Sequence, residues 1–159
     1  MTIPTRRTGG SLIETIAAVA VAGLIAGAAL PRFYDYSGHT KTEDARALLA
    51  GVRASLEQHA ALSAEVGTPV YPGTTDLVTP GVVLEEPLPP NPFTGDADVR
   101  RVQDPAEADR RGITDHPGVG WNYYYDNDAD PPVAVLWLNS EALSAAIDRS
   151  GQRLPASRL

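Results

Sequence analysis

A lone carboxylate, Glu14, stands at the head of seventeen uncharged residues, 15–31. A carboxylate in an apolar bundle is expensive unless it is paired. Glu14 is therefore either a group that reaches water at a membrane surface or one half of an ion pair with a use. Asp126, Asp128 and Asp130 alternate in one loop, a pattern that can offer oxygen ligands to calcium. The EF-hand pattern fails there, because Pro131 takes the glycine position and Trp137 the final glutamate position. A solvated acidic turn competes with the calcium reading. His39, His59 and His116 lie far apart, with no metal-ligand spacing, and His59 reads as a boundary residue of a helix stripe. There is no cysteine, hence no disulfide, thiolate metal site or cysteine nucleophile. The chain has no Gly-rich phosphate loop, no GxSxG and no HExxH, and Glu85-Glu86 reads as exposed charge before a proline loop. The chain is not expected to be an enzyme.

The totals narrow the partners. A net charge of −7 argues against nucleic acid, whose phosphates reward basic patches. Arg100, Arg101, Arg110 and Arg111 are interleaved with Asp104, Glu107 and Asp109, and are read as a solvated charged loop. A length of 159 residues allows one ordinary domain plus an anchor.

The anchor is the run after Glu14. Seventeen uncharged residues, extended by Leu12 and Ile13, are at the lower limit for a membrane-spanning helix. Arg6 and Arg7, with no acid before them, predict a cytoplasmic N-terminus. A secretory signal peptide competes, with small residues at Ala28-Ala29. Glu14 interrupts its apolar start, and the pattern after Pro31 continues as helix. Seven of the fifteen residues 16–30 are alanine and two are glycine, which makes a weakly held span. Gly23 to Gly27 is a GxxxG pattern, which permits close helix packing. Each of these glycines weakens a helix by roughly 1 kcal/mol relative to alanine. Pro31 crowds the carbonyl of Gly27. The stretch Gly23 to Pro31 is where this helix is expected to kink or melt.

Gly9-Gly10-Ser11-Leu12-Ile13-Glu14 resembles the cleavage and methylation motif of type IV pilins and type II secretion pseudopilins. The resemblance implies a basic leader cut by a prepilin peptidase between Gly9 and Gly10, with N-methylation at Gly10. Glu14 becomes the fifth mature residue, and Pro31 falls at the twenty-second, where many members have a proline. Pro31-Arg32-Phe33-Tyr34-Asp35-Tyr36 also looks like the sequence that commonly follows. The resemblance covers about the first 30 residues. One departure is Gly10 itself, since the first mature residue is usually a bulky hydrophobe. A cut after Gly10, with Glu14 fourth, is the alternative. The family implies that Glu14 of one subunit faces the new α-amine of a neighbour and sets axial register.

Beyond Pro31 the pattern is amphipathic. Ala45, Leu48, Leu49, Val52, Leu56, Ala60 and Ser63 recur at three- and four-residue spacing. A helix from Ser11 to Val66, roughly 84 Å long, is predicted, ended by Gly67. Seven prolines between Thr68 and Gly95 argue against regular helix there, with one short strand at Val82-Val83-Leu84. Leu88 to Gly95 reads as an extended segment ending in a turn, with Phe93 on the core. It resembles a proline-rich NPF.G loop of pseudopilin-like proteins. Strands are predicted at Asp98 to Val102, Gly120 to Tyr125 and Val133 to Leu138, the last two forming a hairpin. Trp121, Tyr123 and Tyr125 share one strand face and are expected to pack on the long helix. Asp104 to Gly118 is read as a loop with at most one helical turn. Ser140 to Arg149 is read as a short helix capped by Ser140, and the tail from Ser150 as loose.

The expected fold is α+β. A long N-terminal helix, transmembrane in its first half and amphipathic in its second, packs on a small antiparallel β-sheet head. Residues 1–9 form the cleaved leader, 10–32 the transmembrane or filament-core helix, and 33–159 the periplasmic head. The resemblance implies a structural subunit of a type II secretion pseudopilus or a type IV pilus-like filament. Its partners are copies of itself, other pilin-like subunits, prepilin peptidase, an inner-membrane assembly platform and, before assembly, membrane lipid. No cofactor is expected apart from the calcium candidate. The competing reading is a monomeric single-pass membrane-anchored binding protein, whose periplasmic head recognises a ligand through Trp121 and the tyrosines. A third is a secreted protein that loses the whole apolar run.

Overall fold

The computed structural model describes residues 12–67 and 70–159, with side chains from Ser37 onward. The fold is α+β, a helix with a small sheet. The chain divides into two compact units at Ser37/Gly38. In the first unit the described backbone is helical from Leu12 onward. This helix, α1, has bounds Leu12–Val66 and enters the second unit at Gly38. Gly67 follows it at φ +76°, the left-handed conformation in which glycine ends helices without a Cβ clash. Among the described residues no helix is long and apolar enough to cross a membrane. The side chains of 12–36, which take in most of the span expected at 10–32, lie outside them.

The second unit holds its own core. Ala45, Leu49, Val52 and Leu56 of α1 are buried with Leu77, Leu88, Trp121, Tyr123, Leu136 and Leu138. Leu48 and Phe93 pack on the margin. The stripe is therefore the one that the three- and four-residue spacing marks. Each fully buried leucine or valine contributes about 1.5–3 kcal/mol.

Three strands form the main sheet: β1 (Asp98–Val102), β2 (Val119–Asp126) and β3 (Val133–Leu138), in that spatial order. β2 and β3 pair antiparallel, with Trp121 opposite Leu138 and Tyr125 opposite Ala134. β1 pairs with β2 in parallel, with Val99 opposite Trp121 and Arg101 opposite Tyr123. The sheet is thus mixed, which corrects the expected antiparallel sheet. The cause is the connection 103–118. It contains a six-residue helix, α3 (Pro105–Arg110; the shorter α2, Thr74–Val78, precedes it in the chain), and is long enough for a crossover. Asp104 caps this helix by accepting from the Ala106 N–H at 2.9 Å, and Pro105 opens it.

Four further expectations are corrected. A short helix, α2 (Thr74–Val78), sits between Pro72 and Pro80 and buries Leu77. The two prolines flank it without entering it, so neither removes a bond inside it. Val82-Val83-Leu84 is turn and bend, where Gly81 N–H donates to Leu84 O at 2.6 Å. Ser140 to Arg149 is no helix. It contains β4 (Leu143–Ile147), which pairs antiparallel with β5 (Arg153–Pro155). Ser144 and Ala146 point inward while Leu143 and Ile147 are exposed, the two-residue period of a strand. The tail is therefore not loose, and Ala156 and Ser157 are buried. Thr42 explains the outcome. Its hydroxyl accepts from Ala145 N–H at 2.8 Å and donates to Gly38 O, tying β4 to α1. Asp148 closes the β4–β5 turn by accepting from the Ser150 hydroxyl and from the Gln152 and Ser150 N–H groups, and these bonds, the hydroxyl's first, hold its carboxyl below the usual range.

Candidate functional site

The sequence places its most specific site at the leader junction. Gly9 and Gly10 lie outside the described residues. Glu14, Gly23, Gly27 and Pro31 fall within α1, in the stretch whose side chains are not described.

The acidic loop does not gather its carboxylates. Among the described residues no group of three His, Asp or Glu side chains could hold a metal ion. Asp126 instead accepts from the N–H groups of Asp128 at 3.0 Å and Ala129 at 3.2 Å, so it shapes its own turn. Asn127 fastens that turn to the segment before α2. Its amide accepts from Tyr71 N–H at 2.8 Å and donates to Tyr71 O at 3.0 Å.

The aromatic face is core. Trp121 and Tyr123 have no exposed surface. Trp121 Nε1–H donates to Pro89 O at 2.9 Å, and Tyr123 OH donates to Pro72 O at 3.1 Å. Burial, then the neighbouring Tyr125 and Tyr71, push the Tyr123 phenol far above its ordinary range. Trp121 and Tyr123 thus offer no surface to a ligand, while Tyr125 is half-buried beneath Arg101.

The turn after Leu88 is organised by Asn91, which is fully buried. Its amide donates to Gly120 O at 2.8 Å and accepts from Phe93 N–H at 2.9 Å. Its own N–H donates to Asp96 O at 2.8 Å. A Cβ on Gly120 would stand 2.0 Å from that Asp96 oxygen, so the close approach requires glycine.

A second polar network holds the crossover. Asn139 accepts from Thr114 N–H at 2.8 Å and from the buried Asn122 amide at 3.1 Å. It donates to Thr114 O at 2.9 Å and Val119 O at 2.8 Å. Asn122 in turn accepts from Arg100 Nε at 2.7 Å, and Arg100 pairs with Glu107 of α3. Sequence reading missed Asn122 and Asn139 because nothing local marks an asparagine as buried.

The arginines are not a uniform solvated loop, which corrects that expectation. Arg100 is ion-paired, and Arg101 lies over the Tyr125 ring at 4.6 Å. Arg111 is partly buried, with its guanidinium 5.8 Å from the Trp137 ring centre. Trp137 Nε1–H donates to Gly112 O at 2.8 Å, which fixes the ring under it. Burial, then the charges of Arg53 and Arg158, hold Arg111 below its ordinary pKa, with Asp109 opposing. Arg53, on α1, donates to Leu136 O at 3.2 Å.

No family model, no characterised protein and no solved structure matches this chain.

Proposed function

We propose that this chain is a structural subunit of a type II secretion pseudopilus or a type IV pilus-like filament, and not an enzyme. The observation that carries the reading is the register of Gly9-Gly10, Glu14 and Pro31 in the N-terminal sequence. Two structural features support it. Helix α1 has bounds Leu12–Val66, and its part from Gly38 onward is packed by a small sheet.

In this reading the subunit waits in the bacterial inner membrane, with its N-terminus cytoplasmic and its head periplasmic. Prepilin peptidase removes residues 1–9 and leaves an α-amine at Gly10. An assembly platform then moves the helix out of lipid into a filament of copies and other pilin-like subunits. An alanine-rich span is suited to that transfer, because alanine gains little from lipid. Glu14 compensates the amine of a neighbouring subunit, and an unpaired buried charge disfavours any other register. The weak stretch Gly23 to Pro31 lets the helix bend during entry.

The test is the mature N-terminal mass after co-expression with a prepilin peptidase, against expression without it. A peptidase-dependent cut after Gly9, with or without one methyl group, is expected. An intact Met1 end in both cultures, or a cut near Ala29, would refute the filament reading.

A further inference from the structure

A small cavity of about 140 Å³ lies between the second half of α1 and β3, lined by Arg53, Leu56, Glu57, Tyr71, Arg111 and Leu136 among others. Two guanidinium groups share its wall, and Arg158 is close enough to act on Arg111 through charge. Like charges gathered in a partly enclosed site repel one another unless anions join them, and the wall supplies one, Glu57, against two guanidinium groups. Nη1 of Arg111 is buried and has no hydrogen-bond partner among the described residues. A buried guanidinium nitrogen without a partner costs free energy, which a bound acceptor would return once the Arg111 head turns toward it.

The backbone adds an independent observation. Arg111 ends α3 in the left-handed conformation, φ 54° and ψ 49°. Glycine or asparagine is the ordinary residue at such a helix end. An arginine held there, lining the cavity with its guanidinium 5.8 Å from the Trp137 ring centre, is a local rule broken at one place. Such outliers concentrate at binding sites.

We propose that this cavity is a carboxylate-binding site in which Arg53 and Arg111 hold one carboxylate between them. The lining decides the class of anion. Leu56, Ala134 and Leu136 suit a short aliphatic stem. Glu57, also on the wall and bonded to Tyr71 OH at 3.2 Å, opposes a doubly charged phosphate more than a singly charged carboxylate. The volume is comparable to a cavity that holds benzene, so it fits a short acid and not a sugar or nucleotide. The carboxylate comes either from a free aliphatic acid or from an aspartate or glutamate of another copy. This inference does not depend on the filament reading.

The experiment titrates full-length chain in detergent micelles with propionate at constant ionic strength, reading tryptophan fluorescence. Inorganic phosphate is the comparison probe. Propionate is expected to shift the emission, because Trp137 lies beneath Arg111. Loss of one charged hydrogen-bonding group should weaken binding roughly tenfold or more. Arg53→Gln and Arg111→Gly should each do so. Arg111→Gly also removes the left-handed strain, so it should remain folded. If it does not fold, Arg53→Gln alone carries the test. Sedimentation of the same samples distinguishes the sources: propionate that dissolves self-association points to a neighbour's side chain, and propionate binding without it points to a free acid. No response to propionate, an equal response in wild type and both variants, or phosphate binding in place of propionate would overturn the assignment.

Discussion

Replacing Asn139 by alanine removes four hydrogen bonds at once. Two tie Thr114 at its N–H and carbonyl, one holds Val119 O, and one satisfies the buried amide of Asn122. The three backbone bonds are partly buried, so water recovers some of each, and about 1 kcal/mol apiece is the expected loss. The Asn122 amide has no such recourse, and leaving it unpaired costs about 1–3 kcal/mol more. The sum is about 4–6 kcal/mol, against a total domain stability of about 5–15 kcal/mol. The assay is urea unfolding of the full-length chain in micelles, followed by the fluorescence of Trp121 and Trp137, which both lie on the main sheet. The midpoint should fall by about a quarter or more. Asn139→Asp should do no better, because it keeps the acceptor but turns a carboxylate toward the Thr114 and Val119 carbonyls. The crossover that Asn139 anchors also carries Arg111, so the folded fraction should bind propionate more weakly. An alanine variant within about 0.5 kcal/mol of wild type would show that water replaces these bonds and that the network does not hold the crossover, contrary to the accounting for buried polar groups.

Four other outcomes are expected. Glu14→Ala should leave the peptidase cut after Gly9 intact while reducing filament yield at least roughly tenfold, since unpairing a buried charge costs several kcal/mol; sheared-filament immunoblots and N-terminal mass read the two effects separately. Gly120→Ala should lower the thermal midpoint sharply, by about 1–3 kcal/mol or more in stability, because its Cβ would meet backbone 2.0 Å away that must shift. Tyr123 keeps its proton in the fold well above the ordinary 10.0. The unfolded chain therefore ionises first, and this stabilisation is full below pH 10.0 and declines above it. Tyr123→Phe should flatten part of the alkaline decline in a pH series of urea midpoints, at the cost of the bond to Pro72 O. Leu49→Ala should destabilise by about 2–5 kcal/mol in the same urea assay, as a cavity in the contact between α1 and the sheet.

The helix stripe and the strands β2 and β3 were legible because their periods differ, three to four residues against two, and both run long enough to count. β4 was not, because Ser140 looks like a cap and Ala142, Ala145 and Ala146 look like helix. Its strand form depends on bonds to partners outside the segment, from Ala145 N–H to the Thr42 hydroxyl and from the Ser144 hydroxyl to Leu154 O. The parallel pairing of β1 was hidden for a related reason. It follows from the helix inside the crossover, and that stretch reads as polar loop until Asp104 is seen to cap it. Asn91 sat in a motif that the sequence singles out. Its part in that motif, bridging the turn to Gly120, is a contact across 29 residues that no local spacing encodes.

Arg111 shows where local reading of charge fails for a physical reason. Interleaved Arg, Asp and Glu usually mean side chains that spread into water, since surface pairs are worth little and each charge is well solvated alone. That expectation assumes that every head group can reach solvent. At the end of α3 the backbone turns left-handed, and the ring of Trp137 and the Arg53 side chain come to lie beside the Arg111 head. Asp109 is two residues away in sequence, yet Nη1 is left without an acceptor among the described residues. The chain thus departs from helix-end preference, from charge pairing and from hydrogen-bond completeness at one residue. A stable fold keeps local and global preferences in agreement except where another requirement competes. A carboxylate between Arg53 and Arg111 would relieve the unpaired charge, and a small turn of the guanidinium toward it would give Nη1 its acceptor as well.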